Sequence, residues 1–168
     1  MIVNTIDITI LIIIAIFSLL GFYWGLIRQL LSVVFLIAGV IFAGQYYQSV
    51  AGMLSFVTPN INIGDIIGFL IIVTSINMVG LLLSSKLPLN FLFFGMSDRV
   101  IGSVIGFFQG GITATVLIAI IAANPNDQIS EMLRDSQFTT VILKYFKFVL
   151  ALMPMMLRQS MEIFFGGL

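Results

Sequence analysis

The sequence predicts an all-α membrane protein: four transmembrane helices arranged as two hairpins, followed by a C-terminal amphipathic helix. Three observations carry this reading. Hydrophobic residues fill 60% of the 168 positions and charged residues only 8%, against about a quarter charged in a soluble domain. Mean hydropathy is +1.20. Four long apolar runs follow one another, each close to the roughly 20 residues that cross a bilayer core as a helix.

Span one runs from about Ile8 to Trp24 and is rich in isoleucine. No lysine or arginine precedes it, and it continues through Phe22, Tyr23 and Trp24 where a cleaved signal would show small residues. It therefore reads as a retained helix whose aromatic end sits at the headgroups. Span two runs from about Leu30 to Tyr47 after a connection of a few residues, so spans one and two should form an antiparallel hairpin. Gln48 to Gly64 contains Pro59, Asn60 and Asn62 and reads as an ordered loop.

Span three covers about Ile66 to Ser85. The linker Leu87 to Asp98 is apolar through Leu89 and Phe91 to Phe94 but too short to span, and reads as an interfacial or re-entrant segment between Pro88 and Gly95. Span four covers about Val100 to Ala123 and stops at Asn124-Pro125. Residues 1–125 thus form the transmembrane domain and residues 126–168 a tail. Between Thr140 and Leu157 the polar positions Thr140, Lys144 and Lys147 recur at helical spacing among apolar ones. That pattern predicts an amphipathic helix in the interface, limited by Pro154; a fifth span is the rival, opposed by the two lysines and the proline.

Composition narrows the function classes. Seven basic residues balance seven acidic ones, so no basic surface draws nucleic acid. Histidine and cysteine are absent. Histidine-based triads, His or Cys zinc sites, haem attachment, iron–sulfur ligation and disulfides are thereby removed. No cofactor is expected.

Arginine and lysine near span ends set orientation. Arg28 separates spans one and two, while Lys86 and Arg99 separate spans three and four. Both short linkers should be cytoplasmic and both termini outside, although four basic residues scattered along the tail pull the other way.

Gly102, Gly106, Gly110 and Ala114 recur every fourth residue along span four. One face of that helix is nearly bare backbone, which lets a neighbour approach where lipid gives no hydrophobic drive for association. The neighbour is either span one or another copy. Asn77 and Gln109 are polar within spans, with Thr74, Gly80 and Ser84 on Asn77's side. They either bond across helices or line a polar path. No acid or base lies deep in a span, so ion-coupled transport lacks its usual parts.

Asp7 and Asp65 each precede a span by one residue, where a carboxylate suits a helix N-terminus. The sharper alternative is an intramembrane aspartyl protease. Its Gly-x-Gly-Asp pattern is incomplete at Asn62-Ile63-Gly64-Asp65. Asp98 and Arg99 are adjacent and do not face each other on a helix. Asp98 should serve the helix N-terminus, and Arg99 should reach a phosphate or another carbonyl end. Arg28 would do the same at the other linker.

Two ordered motifs then stand out. Gly21-Phe22-Tyr23-Trp24-Gly25-Leu26-Ile27-Arg28-Gln29-Leu30, with Asp7 one helix earlier, resembles the first hairpin of the colicin V production (CvpA) family of bacterial membrane proteins. Gln29 stands where that family usually has glutamate. Asp98-Arg99-Val100-Ile101-Gly102, continuing through Gly106 to Gly110, is similar to the family's pattern at its fourth span. Met132-Leu133-Arg134-Asp135-Ser136 resembles its short Leu-Arg-x-Ser piece. The linker after span three is often basic in the family and here offers only Lys86.

The resemblance implies a multi-pass protein of the cytoplasmic (inner) membrane linked to bacteriocin production or export and to envelope integrity. Its partners would be the bilayer and either another copy or another envelope protein. A non-enzymatic scaffold is the leading expectation. A small oligomeric channel or transporter using Asn77 and Gln109 is the alternative, beside an anchor module for an extracytoplasmic protease, which related modules form.

Overall fold

The computed structural model describes residues 4–54, 61–86, 95–123 and 127–165. Among these residues the regular elements are all helices: α1 (Thr5–Trp24), α2 (Leu26–Met53), α3 (Ile61–Lys86), α4 (Met96–Ala123), α5 (Asp127–Asp135), α6 (Gln137–Tyr145), α7 (Lys147–Leu152) and α8 (Met155–Phe165). The first four are long and apolar enough to cross a membrane. The chain is an all-α membrane protein.

These helices overrun the apolar spans. α2 continues through Gln48 to Met53 and α3 begins at Ile61, so much of the loop expected over Gln48 to Gly64 is helical. A growing helix gains one hydrogen bond per added residue, whereas the apolar pattern marks only where lipid lies. Pro59 and Asn60, the linker positions Pro88, Leu89 and Phe91 to Phe94, and the stop at Asn124-Pro125 lie outside the described residues.

The long helices pair two by two, α1 with α4 and α2 with α3, and α2 joins the pairs through α4. Both seams are antiparallel. Along the first, Gly21 lies against Gly102, Phe17 against Gly106 and Ile14 against Gly110. Along the second, Tyr47 and Ala51 lie against Gly68, Gly39 against Val73 and Phe35 against Gly80. The expected first hairpin is a connection more than a packed pair. α1 and α2 are joined by Gly25 alone, yet they touch far less than each touches its partner. Close approach follows the glycines, and α4 presents its row to α1.

α4 is the central helix. It meets α1, α2 and every tail helix, and 56% of its span is buried against 17–28% for the other three. Arg28 and Arg99 near the starts of α2 and α4, and Lys86 at the end of α3, share one end of the bundle, opposite Asp7.

The tail is amphipathic but divided, in place of the single helix expected from Thr140 to Leu157. α6 stops at Phe146, whose ring fills the space over Gly111. α7 stops at Met153 before Pro154, which lacks an N–H and crowds the preceding turn. Leu133, Leu143, Val149, Leu157 and Met161 are fully buried, so the tail packs onto the bundle. It starts beside Asp7, reaches Gly111 near mid-length of α4 at Phe146, and returns to lay the Leu152 carbonyl against Gly44 of α2. Among the described residues its longest helix has 11 residues, about 16 Å, half the ~30 Å of a bilayer core.

A side chain at Gly106 would collide with the Phe17 carbonyl of α1, and backbone cannot step aside as a rotamer can. Gly106→Leu should therefore destabilise by about 1–3 kcal/mol or more, the scale of overpacking. Val104→Leu, at a position 52% exposed, should melt like wild type. Thermal unfolding in detergent reads both. Equal melting would mean that α1 does not rest on this ridge.

Candidate functional site

Three polar nodes interrupt the apolar bundle. The first is built on Asp7, the third residue of α1 and 3% exposed. Its Oδ2 accepts the Asn4 N–H at 3.2 Å. Its Oδ1 accepts the Ser136 hydroxyl at 2.5 Å and the Phe138 N–H at 3.1 Å. Ser136 is the N-cap of α6, and its Oγ in turn accepts the Thr139 N–H at 3.0 Å. Asn4 Nδ2 donates to the Met132 carbonyl, in the last turn of α5, at 2.6 Å. First-turn N–H groups and last-turn carbonyls have no partner inside their own helices. One buried carboxylate and its neighbours thus satisfy the ends of α1, α5 and α6 together, and the charge in turn has the donors that a buried charge requires.

The second node closes the opposite end. Gly25, the whole connection between α1 and α2, has φ 79°, a conformation that favours glycine. A side chain there would also strike the Asp98 carboxylate. Asp98 Oδ1 accepts the Leu26 N–H at 3.1 Å, so it caps α2 in trans from the first turn of α4. The sequence reading assigned Asp98 to its own helix; the crossing of α4 over Gly25 redirects it. Arg99 lies 6.0 Å from the Phe22 ring centroid, a cation–π distance. Arg28 is half-buried one turn into α2.

The third node ties α2 to α4 between those ends. Gln29 Nε2 donates to Gln109 Oε1 at 2.5 Å, and Gln109 Nε2 donates to Ser32 Oγ at 2.8 Å. Gln29 and Gln109 are 1% and 3% exposed, and Gln29 Oε1 is buried without a partner. Ser18 and Ser103 add a hydroxyl pair at 2.9 Å across the α1–α4 seam. Along that seam Gly102, Gly106 and Gly110 face α1 of the same chain, and Ala114 is buried at 1%.

The remaining candidates are placed differently. Asn77 Nδ2 donates to Val73 of its own helix at 2.9 Å and rests beside Gly39, so its hydrogen bond does not cross to another helix. Gly80 and Ser84 are buried on α3, but Thr74 is exposed. Asp65 is the fifth residue of α3, beyond the first turn that a capping carboxylate serves. The cap reading of Asp65 is thereby corrected, because the helix starts earlier than its apolar run. Asp7's oxygens are engaged by Asn4, Ser136 and Phe138, with no bond to Asp65. Among the described residues no group of three metal-binding side chains occurs.

A family model described as Colicin V production protein matches residues 6–147. The chain belongs to the colicin V production family. No curated protein and no solved structure matches it. The family match takes in the three nodes apart from Asn4 and stops as α7 begins, so most of α7 and all of α8 lie beyond it. Within the matched range, Gln29 is the residue that grips Gln109. Sequence reasoning missed Asn4, Ser32 and Ser136 as partners. Gln29 and Ser32 do share a helix face at a spacing of three, and Ser136 stands three residues before Thr139 in N-cap position.

Asp7→Ala would leave the Ser136 hydroxyl and the Phe138 N–H without their acceptor, at about 1–3 kcal/mol for each buried group left unpaired. Hydrogen exchange over residues 131–146 should rise sharply in this variant. Asp7→Asn keeps one carbonyl acceptor and should show a smaller rise. Unchanged exchange in Asp7→Ala would mean that the carboxylate does not hold the tail.

Proposed function

We propose that this family member is a non-enzymatic scaffold or accessory protein of the bacterial cytoplasmic membrane, acting in bacteriocin production or export and in envelope upkeep. The observation that carries this reading is where the buried polar groups are directed. Asp7 and Asp98 bind helix ends, while Gln29, Gln109 and Ser32 bind one another between helices. The carboxylates of Asp7 and Asp98, which could otherwise serve catalysis, are here engaged in joining helices. Family membership supports the same reading, since the family is not known for an enzymatic reaction.

A conducting path draws less support. Gln109 is locked to α2, and Asn77 bonds its own helix, so the two expected lining residues do not meet. Partner proteins, whether a second copy or another envelope protein, would bind laterally. α3 makes its main contacts with α2, which leaves its outer face to lipid or to such a partner. Both termini face outside in this reading, because Arg28, Lys86 and Arg99 share one end and lysine and arginine favour the cytoplasm.

Loss of the gene should weaken the envelope or lower bacteriocin output, and Asp7→Asn should restore function at least in part. Complete loss in Asp7→Asn, with normal membrane insertion, would instead indicate carboxylate chemistry. Orientation has its own check in the cysteine-free chain. A cysteine at Met53, 73% exposed near the Asp7 end, should label from outside intact cells, and one at Met96, 72% exposed at the opposite end, should not. The reverse pattern would invert the topology.

A further inference from the structure

We propose that the pocket between α7 and α8 binds the phosphate headgroup of an anionic phospholipid. Lys147, Leu150 and Ala151 of α7 face Arg158, Met161 and Glu162 of α8 around a space of about 200 Å³. Leu150 and Met161 are buried and make an apolar floor. Two cations and one carboxylate line the rest. Arg158 Nε lies 3.8 Å from Glu162 Oε1, with both side chains substantially exposed. Such an exposed pair is weak. Lys147 has no ion-pair partner among the described residues, so the pocket carries one positive charge in excess.

Position makes that excess informative. Lys147 directly follows Phe146, whose ring sits over Gly111 near mid-length of α4, and α7 then returns to Gly44 of α2. α7 thus runs from mid-length of the bundle back toward the Asp7 end, so the pocket lies on the side of that end's headgroups. Lys147 and Arg158 reach those headgroups by snorkelling, and a charge so placed is expensive unless it finds a counter-charge. An anionic amphiphile supplies one. Its phosphate oxygens accept from Lys147 and Arg158, the second of which favours forked contacts with phosphate, while its first carbons rest on Leu150 and Met161. A water takes about 30 Å³ in the liquid, so the space holds a phosphate with its neighbouring carbons. The tail would then be seated in one leaflet by a lipid bound on its outer side and by Asp7 at its start.

Delipidated full-length protein in detergent, titrated with short-chain phosphatidylglycerol and followed by native mass spectrometry, tests this. Wild type should retain the lipid. The Lys147→Gln, Arg158→Gln double variant should bind at least fivefold more weakly, and Lys147→Arg should bind like wild type. Arg99→Gln, at the opposite end of the bundle, should leave affinity unchanged. Phosphatidylcholine and inorganic phosphate should each bind more weakly than phosphatidylglycerol, which separates a lipid site from a free-phosphate site. The proposal is overturned if the folded double variant binds like wild type, if Arg99→Gln causes the same loss, or if either comparison ligand matches phosphatidylglycerol. Melting curves establish that the variants are folded; an unfolded double variant passes the test to Lys147→Gln alone, with the same threshold.

Discussion

The contact on which this structure depends is the backbone-to-backbone approach of α1 and α4. Lipid tails are as apolar as leucine, so burying apolar side chains between helices gives little net drive in a bilayer. What remains is dispersion between closely fitted surfaces, and hydrogen bonds that lipid cannot satisfy. Gly102, Gly106 and Gly110 bring α4 so near to α1 that no side chain fits between them. With α4 fixed in this way, Ser103 meets Ser18, Asp98 lands over Gly25, and Gln109 faces α2. On a neighbouring face of α4, Gly111 receives the Phe146 ring of the tail.

The polar nodes form a second layer of constraint on top of that contact. A carboxylate in an apolar setting is tolerable only when donors surround it, and Asp7 collects three. Each donor belongs to a helix end or a cap, so satisfying the charge also fixes the order in which the tail meets the bundle. Asp98 acts in the same manner at the other end with a single donor, the first N–H of α2. Both capping carboxylates therefore act between elements distant in sequence. Gln29 differs, since one of its two polar atoms is paired and the other is buried without a partner.

Such an arrangement suits a protein whose product is a surface. Its interior joins helices, α3 and the outer tail supply the exposed faces, and the charged pocket lies on α7 and α8, for the most part beyond the reach of the family match.

Class, number of spans and family were legible from sequence because they depend on local quantities. Apolar run length against bilayer thickness identifies a membrane helix, and the four-residue step of Gly102, Gly106 and Gly110 identifies a face for close approach without any knowledge of the partner. Tertiary structure alone decided that the partner is α1, that Asp98 caps α2, that Asp65 falls inside α3, and that Ser136 closes on Asp7 across 129 positions of chain. It also divided the tail, since the ring that interrupts it at Phe146 answers to a glycine on another helix. Periodicity records how each segment meets its solvent. Which polar group meets which depends on helix crossings, and those are set by side chains far apart in the sequence.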